Sequence, residues 1–184
     1  MKAGLAAMFL ALVASGGPAC AAHWNVDYAR SRLGFSVQWS NEPFSAAFRH
    51  WSAEIDFDPA DLARAEVSVM IDLASEFSDE PDFDSGLKGA QGFQTSQFPA
   101  ARFLATNFIR KSAASYEARG TLTIRGISRE ITLPFSLAIA GRTAHMTGSA
   151  HVLRTDFGVG QGMWSSSTPV SHDVSVNIDL FATR

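Results

Sequence analysis

Tyr116-Glu117-Ala118-Arg119-Gly120-Thr121-Leu122-Thr123-Ile124-Arg125-Gly126-Ile127-Ser128-Arg129-Glu130-Ile131-Thr132-Leu133-Pro134-Phe135-Ser136-Leu137 decides the fold. Tyr116, Ala118, Gly120, Leu122 and Ile124 alternate with Glu117, Arg119, Thr121 and Thr123. Successive strand side chains point to opposite faces, so this stretch reads as a strand with one apolar face. Arg125-Gly126 interrupts the pattern, and Ile127, Ile131, Leu133, Phe135, Leu137 and Ile139 then resume it. Two such runs around a tight turn read as a β-hairpin over residues 114–140.

The same period of two extends outward. Leu33, Phe35, Val37 and Trp39 share a face, as do Val67, Val69, Ile71 and Leu73, and again Val174, Val176, Ile178 and Leu180. Asp58-Pro59 and Gly141-Arg142 supply turn chemistry between runs. Between Trp39 and Phe57 the apolar phase switches from Phe44 and Phe48 to Trp51, Ala53, Ile55 and Phe57, which marks a bulge or corner. Residues 59–64 read as one helical turn following Asp58, and residues 85–97, which lack alternation, as a short helix crossing one end of the sheet.

The count is eight or nine strands, mostly antiparallel because their links are short, with no βαβ alternation and no repeat of fixed period. One-sided alternation in so many strands demands a sandwich or a closed barrel. A sandwich of this size would bury its apolar faces against each other, whereas an eight-stranded barrel is wide enough to hold one small ligand. Periodicity alone does not choose between them.

The chain has 184 residues, 46% hydrophobic and 18% charged, which is the composition of one globular domain. Lys2, the apolar run 5–14 and Ala19-Cys20-Ala21-Ala22 make the n-region, h-region and small-residue end of a secretory signal. Residues 1–22 are therefore expected to be removed, leaving a domain of residues 23–184 in the periplasm or outside the cell. Cys20 admits a second reading, lipid attachment, against which Gly17 stands three positions earlier. Ordinary cleavage leaves no cysteine, so the core alone must hold the fold and thiol chemistry is excluded. The remaining 14 Lys+Arg against 18 Asp+Glu leave a mildly acidic protein without a basic run. Such a surface has no electrostatic footprint for nucleic acid or for anionic membranes.

Motifs for chemistry are weak. His145 and His151 share parity on one strand but lie about 20 Å apart along it, too far for one ion. His23, His50 and His172 are isolated in sequence. Glu80, Asp82 and Asp84 resemble the opening of a calcium loop, but the glycine arrives one residue late and Gln91 stands where a bidentate carboxylate is needed. A solvated loop is the simpler reading of the acidic stretch Asp72, Glu76, Asp79, Glu80, Asp82 and Asp84 ahead of Lys88. Gly158, Gly160 and Gly162 lack the following helix of a dinucleotide site and read as a mobile loop. His172 and Asp173 are neighbours whose side chains diverge, and no Gly-x-Ser-x-Gly elbow exists. No metal, cofactor or catalytic residue is assigned.

What remains is the aromatic content: 13 Phe, four Trp and two Tyr after residue 22. Trp24-x-Val26-Asp27, Phe48-x-x-Trp51 with Ile55-Asp56-Phe57-Asp58-Pro59, and Phe98-Pro99-Ala100-Ala101-Arg102-Phe103 resemble segments of the YceI-like family of lipid- and polyisoprenoid-binding proteins. Residues 120–126 with Leu133-Pro134, Arg154-Thr155-Asp156-Phe157-Gly158 and the strand 174–180 continue the resemblance in the family's order. Phe83 and Gly86 depart from it, standing where the family commonly has Arg and His, and Ala46 replaces its usual glycine.

The resemblance implies an all-β fold, an eight-stranded antiparallel lipocalin-like β-barrel with one or two short helices, exported to the periplasm. It also implies an apolar tunnel for an isoprenoid lipid, either a polyisoprenoid or a quinone tail, with no shared catalytic set. Parity selects Phe35, Val37, Trp39, Phe48, Phe103, Leu122, Leu133, Phe135, Val176 and Ile178 as its lining, with Phe157 and Trp164 gating the mouth. Membrane or electron-transfer donor and acceptor proteins are the expected further partners, and the protein is a monomer or a homodimer. The competing expectation is an exported interaction protein whose barrel is filled.

Overall fold

The computed structural model describes residues 22–184, so the signal segment and Cys20 lie outside the described residues, apart from Ala22. The strands are β1 (His23–Val26), β2 (Arg32–Trp39), β3 (Glu42–Phe48), β4 (Trp51–Asp56), β5 (Glu66–Asp72) and β6 (Glu76–Phe77), followed by β7 (Ala100–Arg110), β8 (Ser115–Ile124), β9 (Ile127–Ala140), β10 (Thr143–Leu153) and β11 (Asp173–Thr183). One α-helix, α1 (Pro81–Lys88), lies between β6 and β7.

Three pairs of these strands are single passes of the chain with a break in them. β1 and β2 both lie antiparallel against β11, β4 and β3 pair with them in turn, and β5 and β6 follow. Each pass counted once gives eight strands, every one antiparallel to its neighbours in sequence. The first pairs with the last through Leu33↔Ile178 and Val26↔Ala182. The sheet therefore closes into an eight-stranded antiparallel barrel, and the sandwich is excluded.

The hairpin stands as the alternation predicts, with Ile124 opposite Ile127 across Arg125-Gly126 and Tyr116 opposite Phe135. Both turn residues have positive φ, 52° and 73°, the geometry that matches the twist of the flanking strands. The phase switch is also a real corner. The second pass breaks at Arg49–His50, where both backbone N–H groups donate to Ser75. Beside it the first pass breaks at residues 27–31, where Tyr28 packs edge-on against Trp51 at 5.0 Å and its hydroxyl accepts from Ala53 N.

Two helical expectations need correction. A 3-10 turn occupies Leu62–Arg64, with Asp58 Oδ1 accepting from Ala60 N ahead of it. The α-helix begins four residues before the expected segment. Pro81 takes the first turn, where its missing N–H costs nothing, and Asp82 and Asp84 complement the N-terminal dipole. Residues 89–97 form turns instead, held by the Arg125 guanidinium, which donates to the carbonyls of Ala90 and Gly92 and to Gln94 Oε1.

The meander gives the barrel two unlike ends. At one, the links 57–65, 111–114 and Gly141–Arg142 are short. At the other, the β2–β3 turn, residues 78–99, the Arg125-Gly126 turn and residues 154–172 converge, tied by Ser40 N donating to Pro169 O and Gly160 N to Gln91 O. We call the second end the mouth.

β7 and β8 approach closely beside the register shift between Ala105 and Asn107. A Cβ on Gly120 would stand 2.3 Å from Leu104 O and 2.8 Å from Ala105 Cα. Gly120→Ala should therefore wedge these strands apart and lower stability by roughly 2 kcal/mol, or about 6 °C in Tm. Thermal unfolding followed by circular dichroism measures this, and an unchanged Tm would show that the ladder yields without cost.

Candidate functional site

The inward faces do not interlock across the middle of the barrel. They enclose a cavity of about 410 Å³, within the range of small-molecule sites. The ten residues selected by parity line it, Phe35, Val37, Trp39, Phe48, Phe103, Leu122, Leu133, Phe135, Val176 and Ile178, and so do the two expected gates, Phe157 and Trp164. Apart from indole nitrogens, the polar side chains on its wall are Asp82, Gln91 and Arg154, all contributed from the mouth.

The closed end is sealed by rings. Phe57 sits edge-on to Phe108 at 5.3 Å and to Tyr116 at 5.7 Å, and Tyr116 stacks on Phe135 at 5.4 Å. Trp24 lies beside them with its indole N–H donated to Phe57 O, so the polar edge of that ring is satisfied within the seal.

The mouth carries a second aromatic group that sequence reasoning found only in part. Phe83 from α1 packs on Phe44 at 4.3 Å and on Trp39 at 5.1 Å, and Trp164 meets Trp39 edge-on at 5.9 Å. Trp39 was selected by parity and Trp164 as a gate. Phe44 and Phe83 were not, although Phe83 was visible as a departure from the family pattern. The two residues expected as gates differ in place: Trp164 stands in this ring cluster, whereas Phe157 is 1% exposed and anchored beneath the loop.

The glycine string is not the loose loop expected from its composition. Arg154, buried with no carboxylate partner, donates from Nε to Ser171 O, from Nη1 to Val159 O and Gly160 O, and from Nη2 to Ser166 O and Val170 O. These are all five of its N–H groups, and they pin residues 159–171 across the mouth. Gly160, at φ 78°, leaves room for the guanidinium: a Cβ there would lie 2.0 Å from Nη1.

The acidic stretch needs a further correction, because one of its carboxylates is not solvated. The Glu76 side chain has no exposed area and neither oxygen meets a donor, so its partner is the Asp84 carboxylate, to which the neutral carboxyl donates. Burial, then the negative charge of Asp84, pushes its carboxyl up to about 7, while Lys88, with Nζ 3.8 Å away, pulls the other way. Asp84 itself is partnered: burial opposes its ionisation, but hydrogen bonds from Ser78 Oγ and N and the charge of Lys88 hold it below the usual carboxylate range.

The histidines are scattered over the outside. His23 pairs with Asp56 at 2.9 Å, His145 with Asp179 at 2.7 Å and His151 with Asp173 at 3.4 Å, while His172 meets Ser165 O. Among the described residues no three His, Cys, Asp or Glu side chains are placed to hold a metal ion.

Comparison with known proteins matches residues 24–182 to a family model described as the YceI-like domain. A UPF0312 protein of Vibrio cholerae is 26% identical over 152 residues, 79% of this chain and 77% of that protein. A UPF0312 protein of Shewanella denitrificans is 25% identical, covering 84% and 81%. Among solved structures, Burkholderia cenocepacia BcnA superposes with a TM-score of 0.83 at 30% identity, covering 86% of this chain and all of that one. A polyisoprenoid binding domain from Saccharophagus degradans, at 15% identity, shares the fold with a TM-score of 0.69 over 89% and 98% of the two chains.

Proposed function

The chain belongs to the YceI-like family, and on that premise we propose that it binds an isoprenoid-type lipid, a polyisoprenoid or a quinone tail, in the barrel lumen. The observation that carries this reading is the cavity: about 410 Å³, lined by apolar side chains, closed at one end by aromatic rings and bounded at the other by α1 and the loops of the mouth. The polyisoprenoid binding domain of Saccharophagus degradans is built on the same barrel, which supports the ligand class.

The work done is transfer of hydrocarbon from water into a dry lumen, with no bond made or broken. A chain of twenty carbons at about 0.3 kcal/mol per heavy atom would bind with ~6 kcal/mol, a Kd of roughly tens of micromolar. That strength suits carriage, storage or sequestration, since the lipid can be held and still be passed on. The reading of residues 1–22 as an export signal supports action in the periplasm or outside the cell. Membrane or electron-transfer proteins are the partners such a carrier would serve, and no cofactor or catalytic residue enters the scheme.

The test is mass spectrometry of an organic extract from protein purified natively without detergent. The expected result is an isoprenoid-type lipid at near one mole per mole of protein. An extract free of apolar ligand, from protein that also fails to take up added polyprenol, would remove the carrier reading. It would leave the alternative, a barrel acting through its surface.

A further inference from the structure

Glu76 and α1 meet in a way that lipid binding does not require. α1 lies over the mouth, and Asp82, Phe83, Gly86 and Leu87 on its underside form part of the cavity wall. Its polar ties to the strand behind it are few: Ser78 Oγ and N donate to the Asp84 carboxylate, and Lys88 Nζ stands 3.8 Å from Glu76. The preceding residue Glu80 provides no side-chain cap. Beneath the helix, Glu76 is enclosed by the rim of the barrel, its neighbour across the ladder being Phe48 of the cavity wall.

We propose that α1 is a lid locked by the uncharged form of Glu76, and that ionisation of this carboxyl releases the helix and opens the mouth to lipid. The neutral carboxyl can donate to the Asp84 carboxylate on α1, a tie that ionisation removes, whereas a buried carboxylate needs water or a full ion pair. The charges that reach it both sit on α1. Asp84 opposes its ionisation and Lys88, beyond hydrogen-bond distance, favours it. On the adjacent strand side, Arg49 is turned onto the Phe77 ring at 4.1 Å and His50 toward Asp72, so neither compensates Glu76. Lifting α1 admits water, and the carboxyl then regains its ordinary acidity.

The direction follows from that difference. The closed state holds the proton more tightly than the open one, so closure is favoured most below the ordinary carboxyl range. The advantage is lost progressively as pH rises to about 7, and is spent above it. Between about pH 5 and pH 8 the open population should rise roughly fiftyfold. The lid rests on the reading that the cavity takes an apolar ligand, but its movement is measurable without one.

Amide hydrogen exchange at residues 81–88, corrected for the intrinsic rate and referenced to β8, reads the opening directly. The expected result is a fiftyfold rise in wild type over that pH interval and none in Glu76→Gln, with Lys88→Met moving the rise to higher pH. A flat wild-type profile overturns the lid, as does a Glu76→Gln profile that rises like wild type. Should Glu76→Gln fail to fold, an unshifted Lys88→Met profile overturns it as well. Uptake of the apolar fluorophore N-phenyl-1-naphthylamine, followed in parallel, separates the two readings. Exchange that tracks pH without uptake at any pH removes the ligand reading alone, while uptake at a pH-independent rate with flat exchange removes the lid alone.

Discussion

Phe103→Asp is expected to strip the protein of bound lipid by at least tenfold and to lower its Tm by about 10 °C, while Leu104→Asp, one residue along the same strand, leaves both unchanged. Phe103 is 9% exposed, faces the cavity and lies between Val69 and Leu122 on the neighbouring strands. Truncating a buried Phe costs about 3–5 kcal/mol before any charge is considered. The cation on the cavity wall, Arg154, has all five N–H groups engaged at the mouth, so the new carboxyl would have to remain protonated or draw water in. Either outcome makes the lumen a poorer solvent for hydrocarbon. Leu104 is 47% exposed on the outer face, between Ser68 and Thr121, where a carboxylate meets water. Phe135→Asp, at the sealed end beside Tyr116, should behave like Phe103→Asp. Lipid quantified by extraction and Tm by calorimetry decide the matter. Equal lipid loads in the Phe103 and Leu104 variants would show that the inner face is not the binding surface.

Arg154→Ala is the second large effect. The substitution leaves five carbonyls, of Val159, Gly160, Ser166, Val170 and Ser171, without their donor. At about 1–3 kcal/mol for each that stays buried, the mouth loop cannot keep its course, and a loss of roughly 4 kcal/mol, or about 12 °C in Tm, is expected. Arg154→Lys recovers only part of this, because an ammonium has three donors and cannot present a planar fork to five acceptors. Hydrogen exchange should localise the damage to residues 158–171 at temperatures where β8 and β9 remain protected. A Tm within 2 °C of the parent would mean that water replaces the guanidinium without penalty.

How much of this was legible in the sequence depends on which rule governed each residue. In a closed barrel of alternating strands, parity alone separates inside from outside, and that is why the ten strand positions from Phe35 to Ile178 lie on the cavity wall. The break at Arg49–His50 was legible for the same reason, since a corner shifts the parity of everything after it. Parity fails once the chain leaves the ladder. Glu76 follows a 3-10 break at Leu73–Ser75, and composition grouped it with the solvated Asp79 and Glu80 although its side chain is enclosed. Pro81 with Asp82 and Asp84 carried a helix-start signal that the acidic run concealed. Arg154 was visible only as part of a family resemblance, because the five carbonyls that hold it come from residues up to 17 positions away.

The pairing of β1 and β2 with β11 has a consequence for how the molecule comes into being. Residues near the amino end wait for a partner made at the far end of the chain, so synthesis reaches Asp173–Thr183 before any interior can be shut off from water. Until then the growing polypeptide holds at most a curved, unsealed ribbon whose greasy side is wet, and contacts of such long sequence separation form slowly. A nascent chain of this design stays threadable until β11 emerges, and becomes a container when that strand meets β1 and β2.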